Sequence, residues 1–98
     1  MSGSIGSAEA LLEALQPKSF GERIRLLTSG GWTAAQVHAR LPPHVRARFD
    51  AERQPVEALH RELVALAAAG LARHRRVRWA MPLNTKGVRD MVVDVFRV

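Results

Sequence analysis

Cysteine is absent from this sequence of 98 residues, which excludes disulfide bonds and thiolate metal ligands. The absence is consistent with a reducing compartment. Long apolar runs are missing as well, so the sequence predicts no membrane-spanning helix, and we recognise no signal peptide. We therefore expect a cytoplasmic protein that makes no contact with a membrane.

Catalytic patterns are also missing. The sequence has no nucleophile elbow, no phosphate-binding glycine loop and no paired carboxylates, and Gly30 with Gly31 is typical of a helix stop. Its four histidines lack metal-ligand spacing. Glu57 and His60 have the spacing of one half of a carboxylate-bridged di-metal site, but the required second copy is absent. We expect no enzyme, and no catalytic residue, metal, cofactor or small-molecule substrate.

Acidic residues are scarce relative to basic ones. Nine Asp and Glu oppose 15 Lys and Arg, which gives a net charge of +6, and 13 of the 15 basic residues are arginine. This excess favours a polyanionic partner such as nucleic acid, because the guanidinium group fits phosphates and guanine edges. The same bias also follows from a GC-rich genome, so composition alone leaves the partner open.

The apolar content of 47% favours a folded chain, and the length suits one domain with one modest core. We expect residues 1–7 to be flexible and residues 8–98 to form that domain. The spacing of apolar residues predicts helices over 8–15, 20–29, 34–41 and 55–69, and it permits a short helix over 43–51.

Sequence signals for helix ends are frequent. Ser7 is expected to cap the first helix. Capping boxes are predicted for the second and third helices by Ser19 with Glu22 and by Thr33 with Gln36.

The last predicted helix has the clearest apolar stripe. It is expected to face inward and consists of Val56, Leu59, Leu63 and Leu66. Gly70 is predicted to end this helix as a left-handed C-cap, with Leu66 and Leu71 in the positions of a Schellman motif. The second helix also carries apolar residues at helical spacing, namely Phe20, Ile24 and Leu27.

Residues 72–81 and 88–97 are predicted to form a β-hairpin, because two β-rich segments flank the turn-forming residues 82–87. Pairing Met81 with Arg89 aligns apolar residues on one face. The pairs on that face are Trp79 with Met91 and Val77 with Val93, and those on the other are Arg76 with Asp94 and Ala80 with Asp90. Packing of Trp79 on Met91 is the main expectation, and stacking of its ring on a base is the alternative. Trp32 is expected to pack against Val37 rather than to bind a ligand.

Two segments resemble parts of the bacterial-type winged helix-turn-helix fold. GWTAAQVHARLP, residues 31–42, is similar to its second helix, and LHRELVALAAAGLARHRR, residues 59–76, is similar to its recognition helix and the start of the wing. The resemblance covers residues 19–98 and implies an α+β fold with three to five helices before a C-terminal hairpin wing. Residues 42–54 stand where the family has a tight turn, so either an extra helix is inserted or the recognition helix is presented differently.

The family commonly places its third helix in the major groove of DNA and its wing against the backbone or the minor groove. In this sequence Glu57 and Glu62 would repel phosphates from that helix. We therefore expect binding of double-stranded DNA led by arginine–phosphate contacts, which position a protein without specifying sequence. The expected DNA-binding residues are Arg73, Arg75, Arg76, Arg78, Lys86, Arg61, Arg46, Arg48 and Arg53.

These features predict a transcriptional regulator or DNA-associated accessory factor, dimeric and associated with the nucleoid. The alternative is a protein-interaction module that binds an acidic partner or self-associates, since winged helices serve both roles. Two candidate faces for self-association are the alanines between 65 and 69 and the helix over 8–15.

Overall fold

The computed structural model describes residues 2–82 and 88–98, with side chains described for residues 8–79 and 91–98. Five helices precede one antiparallel hairpin, so the α+β class and the predicted order of elements are confirmed. The helices are α1 Ser2–Leu15, α2 Phe20–Ser29, α3 Ala34–Arg40, α4 Pro43–Asp50 and α5 Pro55–Ala68, and the strands are β1 Arg73–Pro82 and β2 Val88–Arg97. Within the described part of the chain, no helix has the length and apolar character to span a membrane.

Several predicted helix ends are present. The Thr33 hydroxyl accepts a hydrogen bond from the Gln36 amide (3.2 Å), and the Gln36 side chain accepts one from the Thr33 amide (3.0 Å), which completes a capping box. Gly70 has a φ of +80°, and the Leu71 amide donates to the Leu66 carbonyl (3.0 Å), as a Schellman motif requires. The expected cap at Ser7 was wrong, because α1 already begins at Ser2.

The second predicted capping box is only half formed. The Ser19 hydroxyl accepts a hydrogen bond from the Glu22 amide (3.2 Å), as expected. The Glu22 carboxylate does not return to Ser19. It accepts hydrogen bonds from the Lys18 amide (2.6 Å) and from the Arg40 guanidinium (2.7 Å), so it ties the start of α2 to α3.

One hydrophobic core joins the helices to the base of the hairpin. Its fully enclosed members include Leu59 and Leu63 of α5, both 0% exposed, so the inward stripe of that helix is confirmed in its centre. Val56 was expected in the same stripe but is 40% exposed, so the buried part of the stripe begins one turn later, at Leu59. The largest fully buried side chains are Phe49, Phe96, Leu11, Leu15, Leu41, Leu59, Leu63, Val37 and Val95.

Helix α4 occupies the segment between the second and third helices of the expected fold. It inserts Val45 and Phe49 into the core and packs on α5. Of the two possibilities for this segment, the extra helix is therefore present. Pro43 at its first position supplies a favourable φ where no intrahelical donor is needed.

The hairpin has the predicted register, with Trp79 opposite Met91 and Arg76 opposite Asp94. An additional pairing was not expected. Trp32 and Phe96 exchange two backbone hydrogen bonds, each 2.8 Å long, and so join the loop between α2 and α3 to β2. The base of the hairpin is thus held on the helical body.

Candidate nucleic-acid interface

The predicted wing arginines divide between the two faces of the hairpin. Successive residues of a strand point to opposite faces, so Arg73 and Arg75 share one face while Arg76 and Arg78 share the other. All four residues are exposed. The cluster therefore consists of two pairs of guanidinium groups on opposite sides of one ribbon.

Asp94 lies among the arginines of the second face. Its Oδ1 atom is 2.9 Å from His74 Nε2 and accepts a hydrogen bond from Arg76 Nε at 3.2 Å. The hydrogen bond from His74 is the largest cause that holds the pKa of Asp94 below its ordinary value of 3.8, and Arg76 adds to the effect against the opposing influence of partial burial. The carboxylate therefore stays ionised at neutral pH. It offsets part of the charge of Arg76, whose side chain remains 75% exposed.

Aromatic rings link this face to α5. The His74 ring stacks on Phe96 with centroids 4.7 Å apart, and the His60 ring of α5 meets Phe96 edge-on at 5.6 Å. Because Phe96 is fully buried, these contacts fix the base of the hairpin relative to α5. Further out, Trp79 is half-buried opposite Met91 and lies outside the central core.

Arg46 has a structural role that the sequence did not indicate. Its guanidinium group donates hydrogen bonds to the carbonyls of His38 (3.2 Å), Ala39 (3.1 Å) and Leu41 (2.9 Å). These carbonyls belong to the end of α3, where intrahelical donors run out. Arg46 therefore acts as a C-terminal cap for α3, and its side chain is directed to backbone rather than outward.

Arg48 contacts α5 through an ion pair. Its Nη2 atom is 3.1 Å from the Glu62 carboxylate, and its guanidinium group lies 5.0 Å from the centre of the Phe49 ring. The pair offsets one of the two negative charges expected to repel phosphates from α5. Glu57 remains exposed at the start of that helix.

Three further residues were predicted to contact DNA. Arg61 is exposed on α5, and Arg53 is exposed in the connection between α4 and α5. Lys86 lies outside the described residues. The structure thus brings together the arginines of β1, whereas Arg61 and Arg53 belong to the helical body.

Arg40 and Arg97 were not singled out from the sequence. The Arg40 guanidinium donates to the carbonyls of Ala14 (2.8 Å) and Gln16 (2.6 Å) and lies 4.0 Å from the centre of a Trp32 ring. Its partners are far away along the chain, so no local pattern could have revealed them. Arg40 joins the end of α1 to α3.

Arg97 lines a cavity between α1, α2 and the end of β2. The cavity has a volume of about 260 Å³, and Arg23 is the other charged residue in its wall. The Arg97 Nε atom is buried and has no hydrogen-bond partner among the described residues. The apolar residues of the wall are Leu15, Pro17, Leu26, Leu27 and Val98.

The chain matches no protein-family model, and no curated protein or solved structure is significantly similar to it. Its five helices followed by an antiparallel hairpin are compatible with a winged-helix layout. Within the described residues, no group of three or more His, Asp and Glu side chains is arranged to hold a metal ion.

Proposed function

We propose that this chain is a winged-helix domain that binds double-stranded DNA through its hairpin. The observation that carries the proposal is the concentration of exposed guanidinium groups on β1, namely those of Arg73, Arg75, Arg76 and Arg78. A ribbon that bears Arg73 and Arg75 on one face and Arg76 and Arg78 on the other suits insertion between two phosphate backbones. Such contacts give affinity with little sequence preference.

Helix α5 contributes less to the proposed interface. Arg61 is its one exposed basic residue, and the neighbouring Glu57 carries the opposite charge. Arg61 can donate two hydrogen bonds to a guanine edge, which would give a preference at a single position. We exclude Arg46 from the proposed contacts because its donors already bind the end of α3.

The test is binding of the whole chain to a random-sequence duplex across a series of salt concentrations. If about five arginines contact phosphates, log K is expected to fall with log salt at a slope of about −4 to −5. Two double variants, Arg73→Ala with Arg75→Ala and Arg76→Ala with Arg78→Ala, separate the two faces. A pair that contacts phosphates lowers the magnitude of the slope by about 2 when it is removed.

A matched control removes the same charge elsewhere. Arg23→Ala with Arg25→Ala also lowers the net charge from +6 to +4, since two positive charges are lost, but it acts on α2. This control is expected to keep the slope of the parent chain. The proposal is refuted if the chain does not bind duplex DNA at low salt, or if the control weakens binding as much as the wing variants do.

A second candidate function is self-association through α2. The apolar residues Phe20, Ile24 and Leu27 are 76%, 47% and 79% exposed, although such residues normally face a core or a partner. They form a continuous stripe because three- and four-residue steps fall on one side of a helix. In contrast, Leu11 and Leu15 of α1 are buried in their own domain, so these two residues cannot form a dimer face.

The oligomeric state measured by sedimentation equilibrium tests this second candidate. A dimer that uses the stripe is expected to dissociate when Phe20→Gln and Leu27→Gln are combined, with little change in the stability of each monomer because both side chains are exposed. Leu71→Gln with Val92→Gln is the control, since these residues are 54% and 61% exposed outside α2. A parent chain that is monomeric at every concentration tested would eliminate the stripe as a self-association face.

A further inference from the structure

The cavity between α1, α2 and the end of β2 combines an apolar interior with unpaired positive charge. Leu15 and Leu26 form its buried wall, and Leu27 and Val98 form its outer wall. We propose that this cavity binds a small carboxylate with an apolar body, such as a medium-chain or aromatic carboxylic acid anion. The proposal does not depend on DNA binding.

Positive charge lies at the wall of the cavity. Within residues 8–79 and 91–98, no carboxylate forms an ion pair with Arg23, Arg73 or Arg97. Arg97 of β2 also lies directly opposite Arg73 of β1 in the strand register. Like charges in opposed positions of a sheet repel each other, so an anion bound beside Arg97 would offset this repulsion.

The Arg97 guanidinium group has an unused hydrogen-bond donor among the described residues. Its Nε–H is buried, and no protein atom in the described part of the chain accepts a hydrogen bond from it. A buried donor is costly unless a ligand or a water supplies the acceptor. Nε does not face the cavity in the free protein, so the guanidinium group would have to turn toward a bound carboxylate for Nε and Nη to donate to its two oxygens. Ligand binding thereby satisfies a donor that the free protein leaves without a partner.

The cavity wall also favours a ligand with a short apolar body. Five of the seven wall residues are apolar, and the volume of about 260 Å³ suits a ligand of small size rather than a nucleotide or a peptide segment. A phosphate or sulfate ion alone would leave the leucine wall uncovered. An uncharged apolar molecule would leave both arginines without a counter-ion. A carboxylate with a short apolar body meets both requirements.

The experiment is a titration of the ¹⁵N-labelled whole chain with octanoate, followed by backbone amide chemical shifts. Saturable shifts are expected at Leu15, Leu26, Leu27 and Arg97. Octanol and octylammonium have the same apolar body without the negative charge, and each is expected to bind at least about tenfold more weakly, the equivalent of losing one charge-assisted hydrogen bond. Acetate supplies the charge without the body and is expected to produce no saturation.

Variants of the two arginines provide the decisive comparison. Arg97→Gln and Arg23→Gln are each expected to weaken octanoate binding by about tenfold or more. Arg23 is exposed, so its replacement keeps the fold even if that of Arg97 does not. Arg25→Gln is the control, because Arg25 lies about 200° around the helix from Arg23 and outside the cavity wall.

Three results would overturn the proposal. Octanol that binds as tightly as octanoate would show that the arginines do not select the ligand. An Arg25→Gln variant as weak as Arg23→Gln would point to a general effect of net charge. Absence of saturable octanoate binding, including the case in which a second copy of the chain covers the cavity, would reject a carboxylate site.

Discussion

Replacing Trp32 with alanine is expected to destabilise the protein by about 3–5 kcal/mol, a large share of the ~5–15 kcal/mol typical of a domain. The side chain is 3% exposed and lies in the central core, so its removal leaves a cavity. The indole Nε1 also donates a buried hydrogen bond to the Leu15 carbonyl at 3.0 Å, and the ring supports the Arg40 guanidinium. Thermal unfolding followed by circular dichroism should show a Tm lowered by more than about 10 °C.

Two companion variants divide this effect into parts. Trp32→Phe keeps an aromatic ring in the core but leaves the Leu15 carbonyl without its donor, so a loss of about 1–3 kcal/mol is expected. Trp79→Ala removes the only other tryptophan, which is half-buried on the hairpin, and is expected to cost less than about 2 kcal/mol. Equal losses for Trp32→Ala and Trp79→Ala would contradict a core centred on Trp32.

Replacing Gly31 with alanine is expected to break the connection between the hairpin and the helices. A Cβ atom at this position would lie 2.7 Å from the Phe96 carbonyl oxygen, closer than real Cβ atoms approach other atoms. The φ of +152° is in addition strained for any side chain. The expected loss exceeds the ~1–3 kcal/mol of a strained backbone alone, because the contact is with backbone that cannot rotate away.

Gly70→Ala is the matched control for backbone strain without a steric clash. Gly70 has a φ of +80°, but a Cβ atom there would meet no atom within 4 Å. The expected cost is only that of a left-handed conformation, about 1–2 kcal/mol. Hydrogen exchange of the Trp32 and Phe96 amides is the local measurement. Gly31→Ala should speed their exchange far more than Gly70→Ala does, and equal protection in both variants would disprove a close approach at Gly31.

The order of elements and the strand register could be predicted because their signals are local. Turn residues and alternation between Val77 and Trp79 set the pairing of the hairpin, since a shift by one residue would reverse its faces. The caps at Thr33 and Gly70 depend only on neighbours within one or two helical turns.

Which face of α2 is buried could not be predicted in the same way. Its stripe of Phe20, Ile24 and Leu27 has the spacing of a buried face. In the structure, however, Leu26 is buried in the core and Glu22 faces the neighbouring helix α3. The Arg40 hydrogen bond to Glu22 and the packing of Leu26 decide this orientation. Neither contact has a local signal, because the partners come from elements far apart in the sequence.

The sequence by itself determined which segments are helices and strands, where most of them end, and that positive charge accumulates on the first strand of the hairpin. Only the tertiary structure decided what each arginine does. Arg46 donates hydrogen bonds to the end of α3, and Arg40 donates to the end of α1. Arg97 lines a cavity, while Arg75 and Arg78 are exposed. The physical reason is that periodicity and capping act over a few residues, whereas the partner of a long charged side chain depends on which elements pack beside it.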